Sequence, residues 1–330
     1  MLGRLSQSKP MRRCLGRPYL TLNKWIWRHL PGFARNLRLT WMYGRHLQNM
    51  VRLSAPRRMS LGTFFLRNRA ELECMCRLLA HREKGSSFIL AVLACSKGAE
   101  VYSISFAIRS ARPDLAVTMH ALDISEEVLN FAAGGHYSLR GLGGLNWPNP
   151  SLIADQGELA WNTWRGQDTS IFERMTAAEM EAMFDREDDQ MRVKSRFREG
   201  ILWQVGDAAA PELVNRLGPQ DMVVANRFLC HMNPAEAEQC LRNIERLVKP
   251  GGYLFVSGVD LDVRTKVAFE RGWRPVTDLI REIHEGDPSL TLVWPWNYCG
   301  LEPFDPRRSD WRLRYASVFQ VGEAAGQQRP

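Results

Sequence analysis

The fold of this chain is set by the residues from Phe88 to Ser125, which read FILAVLACSKGAEVYSISFAIRSARPDLAVTMHALDIS. The apolar run at 88–93 is too short to span a membrane and predicts a buried parallel strand. Ser96–Gly98 then turn the chain into a predicted helix at about 99–112. A second apolar strand ends at Asp123. This order predicts the first half of an α/β fold with a doubly wound, mostly parallel sheet.

The ends of these two strands predict a site for an adenosine derivative. In a doubly wound sheet, a carboxylate at the tip of the second strand lies beside the first turn, where Asp123 can accept both hydroxyls of a ribose. The turn contains only Gly98, so it lacks the G-x-G-x-x-G fingerprint of dinucleotide sites and the Gly-Lys-Ser/Thr end of a phosphate loop. A glycine-poor turn with Glu100 nearby suits a ligand that has a positive centre and no phosphates, and S-adenosylmethionine (SAM) fits that description. The alternative is an ordinary buried α/β sheet in which Asp123 is a surface residue.

Length and residue usage predict a cytoplasmic globular protein. The 330 residues suffice for one substantial core and a smaller domain. No apolar stretch approaches the roughly 20 residues that span a bilayer, and the N-terminus shows no apolar secretory segment. The seven cysteines include no C-x-x-C pair and the seven histidines no H-x-x-x-H motif, so we expect reduced thiols and no metal site.

The positive charge is concentrated near the N-terminus. Residues 1–84 hold 18 Lys and Arg against three acidic residues, while the rest of the chain holds 26 against 33. Such a segment can attract nucleic acid, an acidic membrane or an acidic protein. Because aromatic and apolar residues are interspersed at helical spacing, the simpler interpretation is the solvated face of amphipathic helices. We expect a small-molecule substrate, with an acidic protein as a candidate partner of residues 1–84 and no nucleic acid.

The pattern predicts two domains. A basic helical cap at 1–84, with a break near Gly44, precedes a SAM-binding α/β domain at 85–330. A long excursion between core elements usually covers a site, so the segment at about 136–200 is expected to act as a lid. An aromatic extension follows at about 261–330.

The remaining core elements alternate in the same way. Asn233 before Pro234 predicts a helix start, because it is a good cap in front of a first-position proline. Strands are expected at 201–205, 221–229, 253–257 and 311–321, and helices at 126–133, 176–185, 210–217, 234–247 and 264–285.

Six segments in the same order resemble the CheR-type chemotaxis methyltransferases, which are class I SAM-dependent enzymes. Together they cover roughly residues 60–260. In chain order they are Thr63–Arg67 for the family's T-x-F-F-R, Ala94–Ser103 for its glycine-glutamate turn, Asp123–Ser125 for its acidic strand end, Arg192–Arg198 for its R-V-K stretch, Asn226 for the start of N-V-x-I-Y-F, and Val248–Phe255 for L-K-P-G-G-x-L-F.

The resemblance implies SAM as the cofactor and assigns roles to single residues. Arg67, with Thr63 beside it, would bind the methionyl carboxylate, because a guanidinium can form two parallel hydrogen bonds to it. Glu100 would face the amino group or the positive centre, and Asp123 the ribose. The other implied cofactor-binding residues are Ala94 and Ser96 in the turn, Ile124 after Asp123, Asp207 and Ala208 at the adenine edge, Asn226 and Arg227 beside the sulfonium, and Phe228.

On the acceptor side the chain departs from the family pattern. The family's tyrosine in N-V-x-I-Y-F is Cys230 here, and its neighbour is His231. The segment from about 261 onward has no counterpart that we recognise. We therefore expect methyl transfer to a small molecule rather than to a receptor glutamate. For a hydroxyl or amine acceptor, His231 or Tyr137 could take the proton.

Three alternatives stay open. One is methylation of a protein glutamate, as in the CheR-type enzymes. A second is cyclisation of the aminobutyrate arm of SAM to azetidine-2-carboxylate with release of methylthioadenosine, a reaction of some enzymes that resemble class I methyltransferases. The third is non-enzymatic, a basic binding module with a cofactor-sensing domain. A closed pocket for cyclisation could be lined by aromatic rings, because their faces attract a sulfonium. Aromatic residues more often form cores and interfaces. The candidates are Trp25, Trp27, Trp41, Trp147, Trp161, Trp164, Trp294, Trp296 and Tyr298.

Overall fold

The structure is a computed structural model that describes residues 9–31, 34, 37–55, 57, 62–139 and 170–322. These residues divide into two compact units. The helical unit contains the described residues within 1–58 and 288–303, and the sheet unit contains those within 59–147, 167–287 and 304–330. The predicted domain boundary at residue 84 stays a prediction, and the first described residue of the sheet unit is residue 62.

The sheet unit is built from short, mostly buried strands. In chain order the strands are β1 (Ser87–Leu93), β2 (Ala116–Asp123), β3 (His136–Ser138), β4 (Phe184–Glu187), β5 (Gln190–Val193), β6 (Ile201–Val205), β7 (Gln220–Val224), β8 (Val248–Phe255), β9 (Arg274–Pro275) and β10 (Val318–Gln320).

Seven of these strands form one sheet with the order β6-β2-β1-β7-β8-β10-β9. The pairs from β6 to β8 are parallel, and β10 runs antiparallel to both β8 and β9. The predicted mostly parallel α/β sheet is therefore confirmed. A separate antiparallel sheet has the order β3-β5-β4 and lies in the segment predicted as a lid, of which residues 140–169 fall outside the described part.

The helices connect and flank these strands. In chain order they are α1 (Lys9–Arg28), α2 (Arg38–Ser54), α3 (Arg69–Leu79), α4 (Ala99–Ala111), α5 (Glu126–Gly134), α6 (Ala177–Met183), α7 (Ser195–Arg198), α8 (Leu213–Leu217), α9 (Pro234–Glu245), α10 (Leu261–Glu270), α11 (Ile280–Glu285), α12 (Pro288–Thr291) and α13 (Trp311–Tyr315), with a 3-10 turn at Leu229–His231. None of these helices, within the described ranges, is long and apolar enough to cross a membrane.

The strand order places a ligand edge where the sequence predicts it. From β1 the chain passes through α4 to β2 on one side, whereas β7 lies on the other side of β1. In open α/β sheets, ligands bind outside the carboxyl ends of the strands at the point where the strand order reverses. That point lies between β1 and β7, next to the turn that follows β1.

The predicted helix over 264–285 and the predicted strand over 311–321 are each only partly correct. The helix ends at Glu270, because Gly272 adopts a φ of +66° and Trp273 donates its backbone N–H to Ala268 at 2.9 Å, a helix-ending arrangement. The chain then adds β9 and begins a new helix, α11. Residues 311–315 form α13 instead of strand, and only 318–320 pair as β10. The alternation of apolar and polar residues over 311–321 therefore does not show that its first half is helical and its second half is a strand.

Gly44 does not break the cap helix as predicted but lies buried inside α2. A Cβ at this position would lie 2.8 Å from the ring of Trp27 and would also overlap Trp294. Glycine is therefore required here for close packing rather than for a turn. The rings of Tyr43, Trp294 and Trp296 lie 6.0, 5.5 and 6.4 Å from that of Trp27, and together they form an aromatic core in the helical unit.

Candidate functional site

The turn after β1 holds the carboxylate of Asp123. One oxygen of Asp123 accepts the backbone N–H of Ser96 at 2.8 Å, and the other accepts that of Ser125 at 3.1 Å. Asp123 is 7% exposed, and its oxygens keep lone pairs that can accept further hydrogen bonds. The carboxylate thus lies beside the first turn and can receive two hydroxyl donors.

The turn itself needs unusual backbone geometry. Ala94 and Ser96 have φ values of +53° and +49°, and Gly98 has +79°. A Cβ on Gly98 would lie 3.0 Å from both Ala132 and Trp203. Conformation and crowding therefore both require glycine at this position.

Replacing Gly98 separates these two requirements. Gly85 provides a matched control, because it has a φ of +74° and no atom within 4 Å of an added Cβ. We expect Gly85→Ala to lower the free energy of unfolding by about 1 kcal/mol and Gly98→Ala by about 2 to 4 kcal/mol. Denaturant unfolding of both variants measures the difference, and equal losses would contradict the crowding at Gly98.

An apolar surface lies next to Asp123. Ile124 is 58% exposed, which is unusual for a residue at the end of a buried strand. The end of β6 lies alongside, because Gly206 donates its N–H to the carbonyl of Asp123 at 2.9 Å. Asp207 is exposed there, one of its oxygens accepts the N–H of Ala209 at 2.8 Å, and Ala208 is buried. This edge thus presents the exposed apolar side chain of Ile124 beside the exposed carboxylate of Asp207.

Asn226 joins two carboxylates at the end of β7. Its Nδ2 donates to Glu71 at 2.6 Å and to Glu100 at 2.9 Å, while its Oδ1 accepts the N–H and the hydroxyl of Ser257 at 2.9 and 2.8 Å. All hydrogen-bonding groups of this buried amide are used within the protein. Asn226 therefore fixes Glu71 and Glu100 relative to the sheet.

Three arginines lie around this cluster. Asp287, which is 4% exposed, pairs with Arg227 at 2.9 Å and with Arg174 at 3.0 Å. Arg174 also donates to the backbone carbonyl of Arg67 at 2.8 Å. The guanidinium of Arg67 donates to the carbonyl of Gly62 at 3.0 Å.

Burial shifts the pKa values of the cluster. Desolvation, together with the charge of Arg227, lowers the pKa of Arg67 to about 10, so this side chain stays cationic at neutral pH. Desolvation, together with the charge of Glu100, raises the pKa of Glu71 to about 8. Desolvation also raises the pKa of Glu100. Removal of water strengthens every charge interaction with a ligand bound here.

The backbone around Arg67 is fixed by the sheet unit. Leu66 has a φ of +50°, and its N–H donates to the hydroxyl of Ser103 on α4 at 2.9 Å. Phe65 is fully buried, and its ring stacks on Phe172 at a centroid distance of 5.4 Å. Thr63 is half-buried in the same segment. The T-x-F-F-R segment is thus anchored beside α4, and Arg67 projects from it.

The structure argues against Tyr137 as a base. Tyr137 is fully buried, and its hydroxyl donates to the carbonyl of Lys97 at 2.6 Å. Burial raises the pKa of this phenol well above its ordinary value. Tyr137 therefore supports the Ser96–Gly98 turn, and we do not propose it for proton transfer.

His231 and its neighbours follow Asn226 directly. Arg227 adopts a φ of +68°, Phe228 is half-buried, and His231 is a half-buried residue at the end of the 3-10 turn. His231 thus lies on the segment that leaves the ligand edge, and its role stays a prediction. Within the described part of the chain, no group of three or more His, Cys, Asp or Glu side chains could hold a metal ion.

Sequence reasoning missed Glu71, Arg174 and Asp287. Glu71 lies in the first turn of α3, where an acidic residue is ordinary. Asp287 follows α11 and lies 60 residues after Arg227, with which it pairs. Only the T-x-F-F-R resemblance, which ends four residues before Glu71, could have directed attention to it.

Two segments of the chain match known protein families. Residues 62–149 match the family described as CheR methyltransferase, SAM binding domain, and residues 170–256 match the family described as methyltransferase domain. The first match includes Arg67, Glu100 and Asp123, and the second includes Asn226. SAM is therefore the cofactor, as the sequence predicts.

One curated relative and several solved structures are similar. The probable biofilm formation methyltransferase WspC of Pseudomonas putida is 25% identical over 209 residues, which cover 62% of this chain and 41% of WspC. Magnesium protoporphyrin IX methyltransferase from Synechocystis is 13% identical, with a TM-score of 0.32 and 62% of this chain and 69% of that chain covered. The CMeT domain of the citrinin polyketide synthase is 11% identical, with a TM-score of 0.33 and 56% and 33% covered. At these low scores the structural likeness carries no further weight.

Proposed function

We propose that this chain, a divergent member of the class I SAM-dependent methyltransferase family, transfers the methyl group of SAM to a small-molecule acceptor. The observation that carries the proposal is the arrangement at the reversal point of the sheet. Asp123 lies against the turn after β1, and Arg67, Glu100 and Asn226 lie around the neighbouring strand end. A carboxylate suits the ribose hydroxyls of SAM, and an arginine with a second carboxylate suits the carboxylate and the amino group of its methionyl end.

The protein's part in this reaction is positioning. When bound, SAM supplies an electrophilic methyl group on a sulfonium, and its in-line displacement disperses positive charge. In the proposed site, Arg67 binds the methionyl carboxylate and Glu100 binds the amino group. Asp123 accepts the ribose hydroxyls, and Ile124 contacts adenine. These contacts would hold SAM in one orientation, and an acceptor that is already ionised would need no general base.

The acceptor side supports a small molecule. Cys230, at the position of the family's tyrosine, is 2% exposed, and its backbone N–H donates to Gly258 at 2.9 Å. The phenol that the family's tyrosine would provide on the acceptor side is therefore absent at this position, which favours an acceptor other than a protein glutamate. His231 follows it and is the proposed proton acceptor for a hydroxyl or amine substrate.

Product analysis tests the reaction. We expect purified protein with methyl-labelled SAM to form S-adenosylhomocysteine only after a filtered small-molecule extract is added, with the label in the low-molecular-weight fraction. Label in the protein fraction would instead indicate protein methylation. Methylthioadenosine released without any acceptor would indicate cyclisation. Either result contradicts the proposal, and Asp123→Ala provides the inactive control.

The basic segment also has a proposed partner. Exposed apolar side chains lie on both helices of this segment: Trp25 (61% exposed) and Leu22 (59%) on α1, and Leu39 (78%) on α2. The sequence around them contains arginines and has no acidic residue before Glu71. Such a surface suits an acidic protein. We keep this as a proposal that is separate from the methyl transfer.

A further inference from the structure

Glu71 is a buried carboxylate that the proposed cofactor contacts do not use. It lies on α3 and is 7% exposed. Asn226 donates one amide hydrogen to Glu71 and the other to Glu100, at 2.6 and 2.9 Å. A single amide therefore holds two carboxylates side by side, and only Glu100 has a proposed contact with SAM.

Both carboxylates cannot be ionised without cost. Their oxygens contact the same nitrogen, so they lie within the roughly 6 Å over which like charges shift each other's pKa. Burial and the charge of Glu100 raise the pKa of Glu71 to about 8, and Asn226 and, more weakly, Arg67 oppose this rise. We therefore expect the pair to hold one proton at neutral pH, on one carboxyl group or the other, so that the pair titrates as a unit.

Two of the arginines near the pair already form ion pairs with another carboxylate. Arg227 and Arg174 both pair with Asp287. Arg67 is the cation that acts on both Glu71 and Glu100. The titratable and charged groups that face the pair are Arg67 before α3, Cys74 on α3, Cys95 after β1, Arg227 after β7, Arg264 on α10 and Asp287 after α11.

We propose that Glu71 is a positioning residue that couples SAM binding to the release of one proton. When the cationic methionyl end of SAM binds at Glu100, it would stabilise both carboxylates in their ionised forms, so the O–H bond of the protonated carboxyl group would break and its proton would pass to solvent. With both groups charged, Asn226 is held from two sides. This inference rests on the proposed cofactor site.

The coupling has a defined pH dependence. Below the pKa of Glu71 the unbound protein holds the proton, so the affinity for SAM should rise close to tenfold for each pH unit. Above that pKa the proton is already lost and the rise ends. The amino group of SAM has an ordinary pKa of about 7.7 to 8.0. The affinities should therefore be compared between pH 6 and 7, where this amine stays protonated.

Calorimetry in buffers of different ionisation enthalpy counts the released protons. At pH 6.5 we expect the wild-type protein to release close to one proton per SAM bound. Glu71→Gln, which keeps the shape but carries no proton to release, should release close to none and should show no rise in affinity between pH 6 and 7. Glu73→Gln is the matched control, because Glu73 is an exposed residue of the same helix, and it should behave as wild type.

The outcomes separate this inference from the cofactor site. Wild-type protein that binds SAM without releasing a proton, or a Glu71→Gln variant that releases as many protons as wild type, would overturn it. Glu71→Asp restores a carboxyl group and should restore proton release, which a purely structural role would not require. Wild-type protein that does not bind SAM at all would overturn the cofactor site and this inference with it.

Discussion

Arg67→Ala is expected to weaken SAM binding by about a hundredfold or more. Arg67 is half-buried, and desolvation lowers the pKa of its guanidinium to about 10. Truncating one partner of a buried charge pair costs roughly 2 to 5 kcal/mol, and about 1.4 kcal/mol corresponds to a tenfold change in affinity. Calorimetric titration of the variant with SAM measures the loss.

Two further variants control for charge and folding. Arg67→Lys keeps the charge but loses the planar fork, so its affinity should fall about tenfold, between wild type and alanine. Arg69→Ala removes an exposed nearby arginine that pairs with Glu179 and should leave SAM affinity unchanged. Equal losses in Arg67→Ala and Arg69→Ala would mean that the basic segment acts as a whole rather than through Arg67.

Asp123→Ala is expected to weaken binding of SAM about 30-fold or more, because both ribose hydroxyls lose their acceptor. It also leaves the N–H groups of Ser96 and Ser125 without this acceptor. We therefore expect the free energy of unfolding to fall by about 1 to 3 kcal/mol. Denaturant unfolding and SAM titration measure the two effects on the same preparation.

Methylthioadenosine separates the two ends of the site. It carries the adenosine part of SAM but lacks the methionyl end. Asp123→Ala should weaken binding of both ligands, whereas Arg67→Ala should weaken that of SAM alone. If Arg67→Ala lowered both affinities equally, Arg67 would support the fold rather than bind the methionyl carboxylate.

The sequence predicted those parts of the site that depend on neighbouring residues. The apolar run of β1 is continuous because both faces of a parallel sheet are covered, and β2 ends on the buried Ala121 and Leu122, so the end of each strand, and with it Asp123, is visible in the sequence. Asn233 accepts the N–H of Glu236 at 3.0 Å and begins α9 at Pro234, as its capping signal indicates. Local chemistry determines both features.

Contacts between distant segments were not predictable in this way. Glu71 and Asn226 are 155 residues apart, and no spacing rule connects them. Asp287 forms ion pairs with Arg174 and Arg227, which lie in two other segments of the chain. Tyr137 appeared as a candidate base because a phenol carries that chemistry, but tertiary packing buries it under the turn. Burial and long-range pairing, rather than residue type, decide these roles.

A crystal structure with SAM bound tests the central claim most directly. We expect both ribose hydroxyls within about 3.2 Å of the Asp123 carboxylate, with the methionyl carboxylate on Arg67 and the amino group at Glu100. SAM bound away from the carboxyl ends of β1, β2 and β7, or with its ribose on residues other than Asp123, would contradict the account.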